Sequence, residues 1–439
     1  MIERLRLSFR HITYNLRGGF LVRPLTIALT LGFGGALLSW FEESNPAFDD
    51  WVPKILFLSR TDPQVAQVIL GGIAASIMTV VSIVFAILLM TLTLASMQFS
   101  PRIIVSFVRD RITQWTLGIF LGTFLYCMAT LPAAHSLPRP FSPVTSVIGA
   151  VLLAIICVGL LLFFINHISQ AISVNHIVDR IASETEIVID DVMPLPRRQT
   201  HVESGDGAES PVWETAILND MSGYIRVVDT RRLLVLATSY RVKVHVVRRV
   251  GQFVPAGIPL ILVHKGERLS AENHAEFRDA LDIGPARTLQ QDVEFGVLQI
   301  VDIALKAISP AVNDPTTAIC CVDQLSRLLI RFASREMPEP LFYDLQGIAR
   351  VSIQWIDFER LLDSAFEQIR MYSKTDIAVS LRSLRAFGDI VASTQDWVLR
   401  QTLFERGKRV VEGCAERIGA EELKPMLIRL TALEKLIAT

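Results

Sequence analysis

The sequence predicts an α-helical integral membrane protein: four transmembrane helices, then a cytoplasmic small β-domain and an all-α C-terminal domain. Three observations carry this. Residues 24–41, 63–101, 112–138 and 140–178 hold no Asp, Glu, Lys or Arg. Over 212–266 the apolar residues shift to strand-like alternation, and from 286 onward they return to a helical period. A composition of 51% hydrophobic and 20% charged residues, with mean hydropathy +0.41, is too apolar for an ordinary soluble enzyme and too charged for an all-membrane chain.

A basic segment, 1–22, opens the chain with Arg4, Arg6, Arg10 and Arg17. Crossing the hydrocarbon takes roughly 20 helical residues, and each uncharged run supplies them. The spans are placed near 23–41, 66–97, 114–134 and 144–167, within a transmembrane domain of 23–167. The first loop is acidic (Glu42, Glu43, Asp49, Asp50, Asp62), whereas the N-terminal segment and the loop carrying Arg102, Arg109 and Arg111 are basic. Basic loops lie inside, so both termini and everything beyond 168 are expected in the cytoplasm. The five cysteines, at 127, 157, 320, 321 and 414, show neither metal-ligand spacing nor a disulfide framework. No cofactor or metal is expected, and a net charge of −1 gives no footprint for nucleic acid.

Beyond the last span, 165–184 keeps helical apolar spacing and predicts a helical stalk; with the Pro-, Gly- and Ser-rich stretch 194–211 it makes a stalk-and-linker segment, 168–211. Strands are expected at 222–228, 241–254 and 258–263, with a short helix over 229–239 capped by Asp229 or Thr230. The 247-VRRVGQFV-254 run is similar to half of a biotinyl/lipoyl-type sandwich. The matching half and the Met-Lys-Met-like turn are missing, so a small structural β-domain is preferred. The C-terminal domain, 286–439, reads as helices over 287–307, 315–333, 340–371, 375–393, 396–417 and 420–437.

Three sets of side chains are candidates for function. On the second span Gly72, Ala75, Ser76, Thr79, Ser82, Ala86, Thr93 and Ser96 fall within one broad face. Hydroxyls there suit a pathway lining, while small residues equally suit close helix packing, the preferred reading. In the helical domain Asp292, Asp302 and Asp323 lie on otherwise apolar helices. They read either as a cation or acid/base site or, preferably, as register-fixing ion pairs, with Lys306 and Arg327 four residues after Asp302 and Asp323. Arg102, Arg109 and Arg111, among apolar residues at helical spacing, suit an interfacial anchor on lipid phosphates. Gly118 and Gly122 form a GxxxG that indicates packing, and His167 and His176 are expected to lack partners.

The stretch 307-AISPAVNDPTTA-318 is read as a corner between two antiparallel buried helices. Pro310 and Pro315 cannot continue the first helix. Asn313 suits a left-handed residue, Asp314 an N-cap, Pro315 the first helical position and Thr317 the third; Ser309 completes the corner. With 94-LASMQFSPR-102, 165-INHI-168, 222-SGYI-225, 291-QDVEFGVLQIVDIALKAISPAVNDPTTA-318 and 365-AFEQIR-370, this corner resembles a bacterial family of predicted inner-membrane proteins of unknown function. The resemblance implies four transmembrane helices and a cytoplasmic C-terminal region; it implies no activity, and no catalytic residue carries over. No nucleophile, base or phosphate loop is assembled either, so an enzyme is not expected. The expected function is a homo-oligomeric channel-like or transport protein for an ion or small solute, its partners the lipid bilayer and its own copies. The alternative is a membrane-anchored sensor or scaffold binding a cytoplasmic partner or ligand.

Overall fold

The computed structural model describes residues 22–45, 62–98, 110–135, 141–171, 173–193 and 213–438. It divides into two compact units, 1–173 and 174–439. Arg102 and Arg109, residues 1–21 of the basic segment and the whole 194–211 linker lie outside the described residues.

The N-terminal unit is four helices: α1 (Val22–Ser44), α2 (Pro63–Gln98), α3 (Arg111–Thr130, extended by a 3-10 turn to Ala133) and α4 (Val144–Ala171). All four are long and apolar enough to cross a membrane. The helices α1 and α3 approach most closely, and the glycines explain it. A Cβ at Gly118 would meet Ile27 and Pro24 at 3.0–3.1 Å, and one at Gly35 would meet Tyr126 at 2.8 Å. Because α1 reaches Ser44, Glu42 belongs to the helix and not to a loop. It is wholly buried; its carboxylate accepts the amides of Thr145 and Ser146 at 2.5 and 3.1 Å and the Ser146 hydroxyl at 2.8 Å. A side chain of α1 thus caps α4, where free amides and the helix dipole favour an anion. His167 is not partnerless either: its Nε2 lies 2.9 Å from Asp110, the N-cap of α3.

In the C-terminal unit α5 (Val174–Val192) comes first. The sequence suggested one helix continuing from α4 as a stalk. Instead α4 ends at Ala171, and α5 buries Ile177, Val178, Ile181, Thr185 and Ile189 against α8 (Val293–Ala307) and α9 (Pro315–Ala333). The β part is larger than 212–266. A five-stranded sheet has the order β1 (Thr215–Leu218), β5 (Pro259–His264), β3 (Lys243–Val246), β8 (Ala349–Ser352), β7 (Leu341–Tyr343), with β3 and β8 parallel. A three-stranded sheet runs β4 (Phe253–Val254), β2 (Gly223–Val228), β6 (Leu281–Gly284). Two short helices, α6 (Thr230–Ser239, capped by Asp229) and α7 (Ala271–Arg278), complete this layer, whose core is Ile217, Ile225, Leu233, Val244, Leu260 and Phe277.

The expected helix over 340–371 is therefore a hairpin, β7–β8, followed by α10 (Phe358–Tyr372). The hairpin turn is fixed by Asp344, whose carboxylate accepts the amides of Gln346 and Ile348, each at 2.9 Å, and the Arg350 guanidinium at 2.8 Å. Three helices follow: α11 (Ile377–Ser393), α12 (Trp397–Ala415) and α13 (Ala420–Ala438). The corner joins α8 to α9 directly. Asn313 sits at φ +49°, the Asp314 carboxylate accepts the Thr317 amide at 3.1 Å, and Pro315 is the first helical residue.

Candidate functional site

The expected helix over 287–307 starts late, at Val293, because Asp292 is its N-cap and accepts the Phe295 amide at 3.0 Å. The residues before it form a loop that turns Arg287 back onto the cap. Arg287 makes a bidentate pair with Asp292, at 2.7 and 2.8 Å, and also reaches Glu294 at 3.1 Å. Its guanidinium lies 5.5 Å from the centre of the Phe295 ring.

A second arginine arrives from the β layer. The turn between β3 and β4 places Arg249 so that its Nη2 donates to both Glu294 oxygens, at 3.1 and 3.2 Å. That turn needs glycine at 251: φ is +86°, and a Cβ would meet the Asp292 carboxyl carbon at 2.8 Å and Arg287 Nη2 at 2.7 Å. From α10, Ser364 donates to Glu294 at 3.1 Å and Arg360 stands 3.5 Å away. Gln291 fastens the same loop to the end of β2, where its carbonyl oxygen accepts the Val228 amide at 2.9 Å. Asp292 is 4% exposed and Arg249 7%. Charges buried this deeply persist only when paired. Burial alone would raise the Glu294 carboxyl, but Arg249 and Arg287 beside it bring it below the ordinary carboxylate range. The result is a box of buried charges that joins the β layer to α8 and α10.

Of the three expected acids, Asp292 and Asp323 take separate partners. Asp292 is in the box; Asp302, half-exposed, lies farther along α8; Asp323 pairs with Arg382 of α11. The i, i+4 pair expected between Asp323 and Arg327 is not made, because both have better partners across helices. Arg327 reaches Asp179 and Glu186 of α5, each at 2.9 Å, and Arg331 and Arg335 hold Asp190. Asp179, Glu186 and Asp190 share a face of α5; Arg327 and Arg331 share a face of α9, and Arg335 follows just beyond its end. The sequence reading missed Arg249, Arg287 and Glu294. The available signal was the density of charge over 287–294, at the mouth of a helix that is otherwise apolar.

On α2, Ser76, Thr79, Ser82 and Thr93 face away from their own bundle, which takes the opposite face through Ala74, Ile77, Val81 and Val84. No atom lies within 4 Å of a Cβ built at Gly72. Among the described residues, nothing packs on this row within the chain. Thr79, Ser82 and Thr93 donate to the carbonyls four residues earlier, at 2.9–3.0 Å. Ser96 lies on the same helix, its side chain outside the described residues. Arg111 opens α3. Among the described residues no group of three or more His, Cys, Asp or Glu is placed to hold a metal ion.

The described residues thus hold four helices long and apolar enough to cross a membrane, followed by a mixed C-terminal unit. The chain belongs to the predicted membrane protein family DUF2254, whose profile matches residues 17–389. It is 30% identical to an uncharacterised protein of Mycobacterium bovis over 427 residues, covering 95% of this chain and 80% of that one. An uncharacterised protein of Mycobacterium tuberculosis H37Rv matches with the same identity and coverage. No solved structure matches the chain.

Proposed function

We propose that the protein is a homo-oligomeric, channel-like or transport protein of the bacterial inner membrane, with its C-terminal unit as a cytoplasmic regulatory region. The observation that carries this is the row Gly72, Ala75, Ser76, Thr79, Ser82, Ala86, uncovered by its own bundle. Small side chains let another copy's α2 approach closely, and hydroxyls gathered around a shared axis can replace part of the hydration of an ion or small solute. The reading contains no catalytic step and no nucleic acid. Arg111, with Arg102 and Arg109, serves as the lipid-phosphate anchor.

Cysteine placed at Ser76 or Thr79 tests it in native membranes, alongside flux from liposomes. The expected result is α2–α2 cross-linked multimers, and flux that changes when Thr79 or Ser82 becomes Leu. A monomer in the membrane together with silent liposomes sinks the proposal. The sensor reading draws on a different observation, the buried charge box beside a cavity, and would survive that outcome.

A further inference from the structure

The five-stranded sheet ends in two open edges. Among the described residues no strand pairs beyond β1 or beyond β7. The ladder register turns the amide and carbonyl of Ala216 and Leu218 away from β5, and those of Leu341 and Tyr343 away from β8. The same four residues carry exposed side chains: Leu218 and Tyr343 are each 46% exposed, Leu341 is 39% exposed, and Ala216 is exposed as well. Natural edge strands are often blunted with charged side chains. Neither 215-TAIL-218 nor 341-LFY-343 holds one.

The two edges complement each other. Successive cross-strand partners run Leu341, Ser352, His245, Leu262, Ala216, so Leu341 and Ala216 lie on one face of the sheet, with Tyr343 and Leu218 beside them. On that face His245 Nδ1 lies 3.2 Å from Ser352 Oγ. Phe342 and Ile217 turn to the opposite face and join the core. Strand directions agree as well: β1, β3 and β8 run one way, β5 and β7 the other. A sheet continued from one copy into the next therefore sets β7 antiparallel to β1. In one register Tyr343 faces Ala216 and Leu341 faces Leu218. Each pair then exchanges both of its N–H···O bonds, and every apolar side chain stays on its own face. We propose that β7 of one copy pairs in this way with β1 of another, joining their sheets head to tail. The two edges differ, so the contact is heterologous, and its repetition by rotation generates a ring. The inference rests on the reading of the protein as a homo-oligomer and adds an interface that α2 does not supply.

The test is cross-linking of the full-length protein in native membranes under mild oxidation, with the wild-type chain as blank. Ala216→Cys and Tyr343→Cys are combined in one chain. Within a copy these positions stand four strand spacings apart, roughly 19 Å, too far for a disulfide; across the paired edges their Cα atoms are about 5.5 Å apart. The double variant should give a series of multimers, and the two single variants co-expressed should give dimers. Leu218→Lys, at an exposed edge position, should cut the yield at least about tenfold without lowering the melting midpoint. Tyr343→Cys alone giving dimers as readily as the pair would mean β7–β7 pairing and overturn the proposal. Equal product from Ala216→Cys with Ile428→Cys, an exposed position on α13, would overturn it too. Ser76→Cys on α2 keeps the two readings apart. Cross-links through α2 without cross-links through the strands remove this interface alone. The reverse result upholds this interface and removes the α2 pathway, and silence at both removes the homo-oligomer and this interface with it.

Discussion

Gly296 is the position where the packing of α5 can be measured. A Cβ there would meet Thr185 Cγ2 at 2.8 Å and Thr185 Cβ at 2.9 Å, and would come closer still to Oγ1. Thr185 is wholly buried and its hydroxyl donates to the Ile181 carbonyl at 2.6 Å. Rotating the side chain away gives up that bond, worth about 1 kcal/mol. Moving α5 instead loosens the apolar contacts of Ile177, Ile181 and Ile189. Overpacking of this kind costs about 1–3 kcal/mol, and the better helix propensity of alanine returns about 1 kcal/mol. Gly296→Ala should therefore destabilise by up to about 2 kcal/mol, lowering the midpoint of the C-terminal unit's thermal transition by up to roughly 6 °C. Thr185→Ala removes the two closest atoms, so the double variant should recover most of that loss. Gly388, on α11, is the control: its nearest neighbour would be 4.0 Å away. Gly388→Ala should stabilise by about 0.5–1 kcal/mol. If Gly296→Ala behaves like Gly388→Ala in the same calorimetric assay, α5 does not sit on α8 as described.

Asp314→Ala should cost about 1 kcal/mol, the worth of one N-cap, read from a urea midpoint; an unchanged midpoint would remove the structural account of the corner. Glu42→Ala leaves two buried amides at the start of α4 without their acceptor, a loss of about 1–3 kcal/mol in detergent-solubilised protein. Glu42→Gln, which keeps an acceptor oxygen, should lose less, and equal losses would contradict the capping role. Acid should destabilise the C-terminal unit. The Thr317 hydroxyl and amide hold the Asp314 carboxyl below its ordinary value, and Glu294 is likewise lowered by its arginines despite burial. A carboxyl depressed in the folded state contributes stability that is present above the unfolded values, about 3.9 for Asp and 4.3 for Glu. That stability is lost as pH falls through the folded values. Melting curves from pH 6 to pH 3 should show this decline, with a shallower slope in Asp314→Asn; parallel slopes would refute the contribution of Asp314.

The parts of the fold legible in the sequence were those with a local cause. The four apolar helices follow from uncharged runs, and the corner's geometry from Asn313, Asp314 and Pro315, residues whose backbone preferences act within a few positions. The helix over 230–239 was visible through its Asp229 cap. The hairpin at 341–352 was not, because β7 and β8 are three and four residues long and too short to set a period of their own. Their strand character comes from pairing, β8 lying parallel to β3 more than a hundred residues earlier. The late start of α8 was hidden for a related reason: 287–292 is helix-compatible in composition, and the loop exists because Arg287 folds back on Asp292.

The partners of charges were the least legible feature, and the physical reason is specific. Within a helix, spacing predicts i, i+4 pairs, but an exposed pair of that kind is worth only about 0.3–0.5 kcal/mol. A guanidinium offered two carboxylates from another helix will leave it. Arg327 does so, taking Asp179 and Glu186 on α5, which frees Asp323 for Arg382 on α11. Of the acids read as one cluster, Asp323 thereby ties α9 to α11, while Asp292 stands at the start of α8 with Arg287. Asp292 alone was placed in the box, and there the order of argument reverses. A buried carboxylate must find a cation, so its position implied an arginine nearby, but only the fold could say that one came from loop 287 and another, through Glu294, from the turn at 249. Arg249 is the clearest case: sequence spacing assigns it no partner, and the fold gives it Glu294, forty-five residues on, through a single nitrogen.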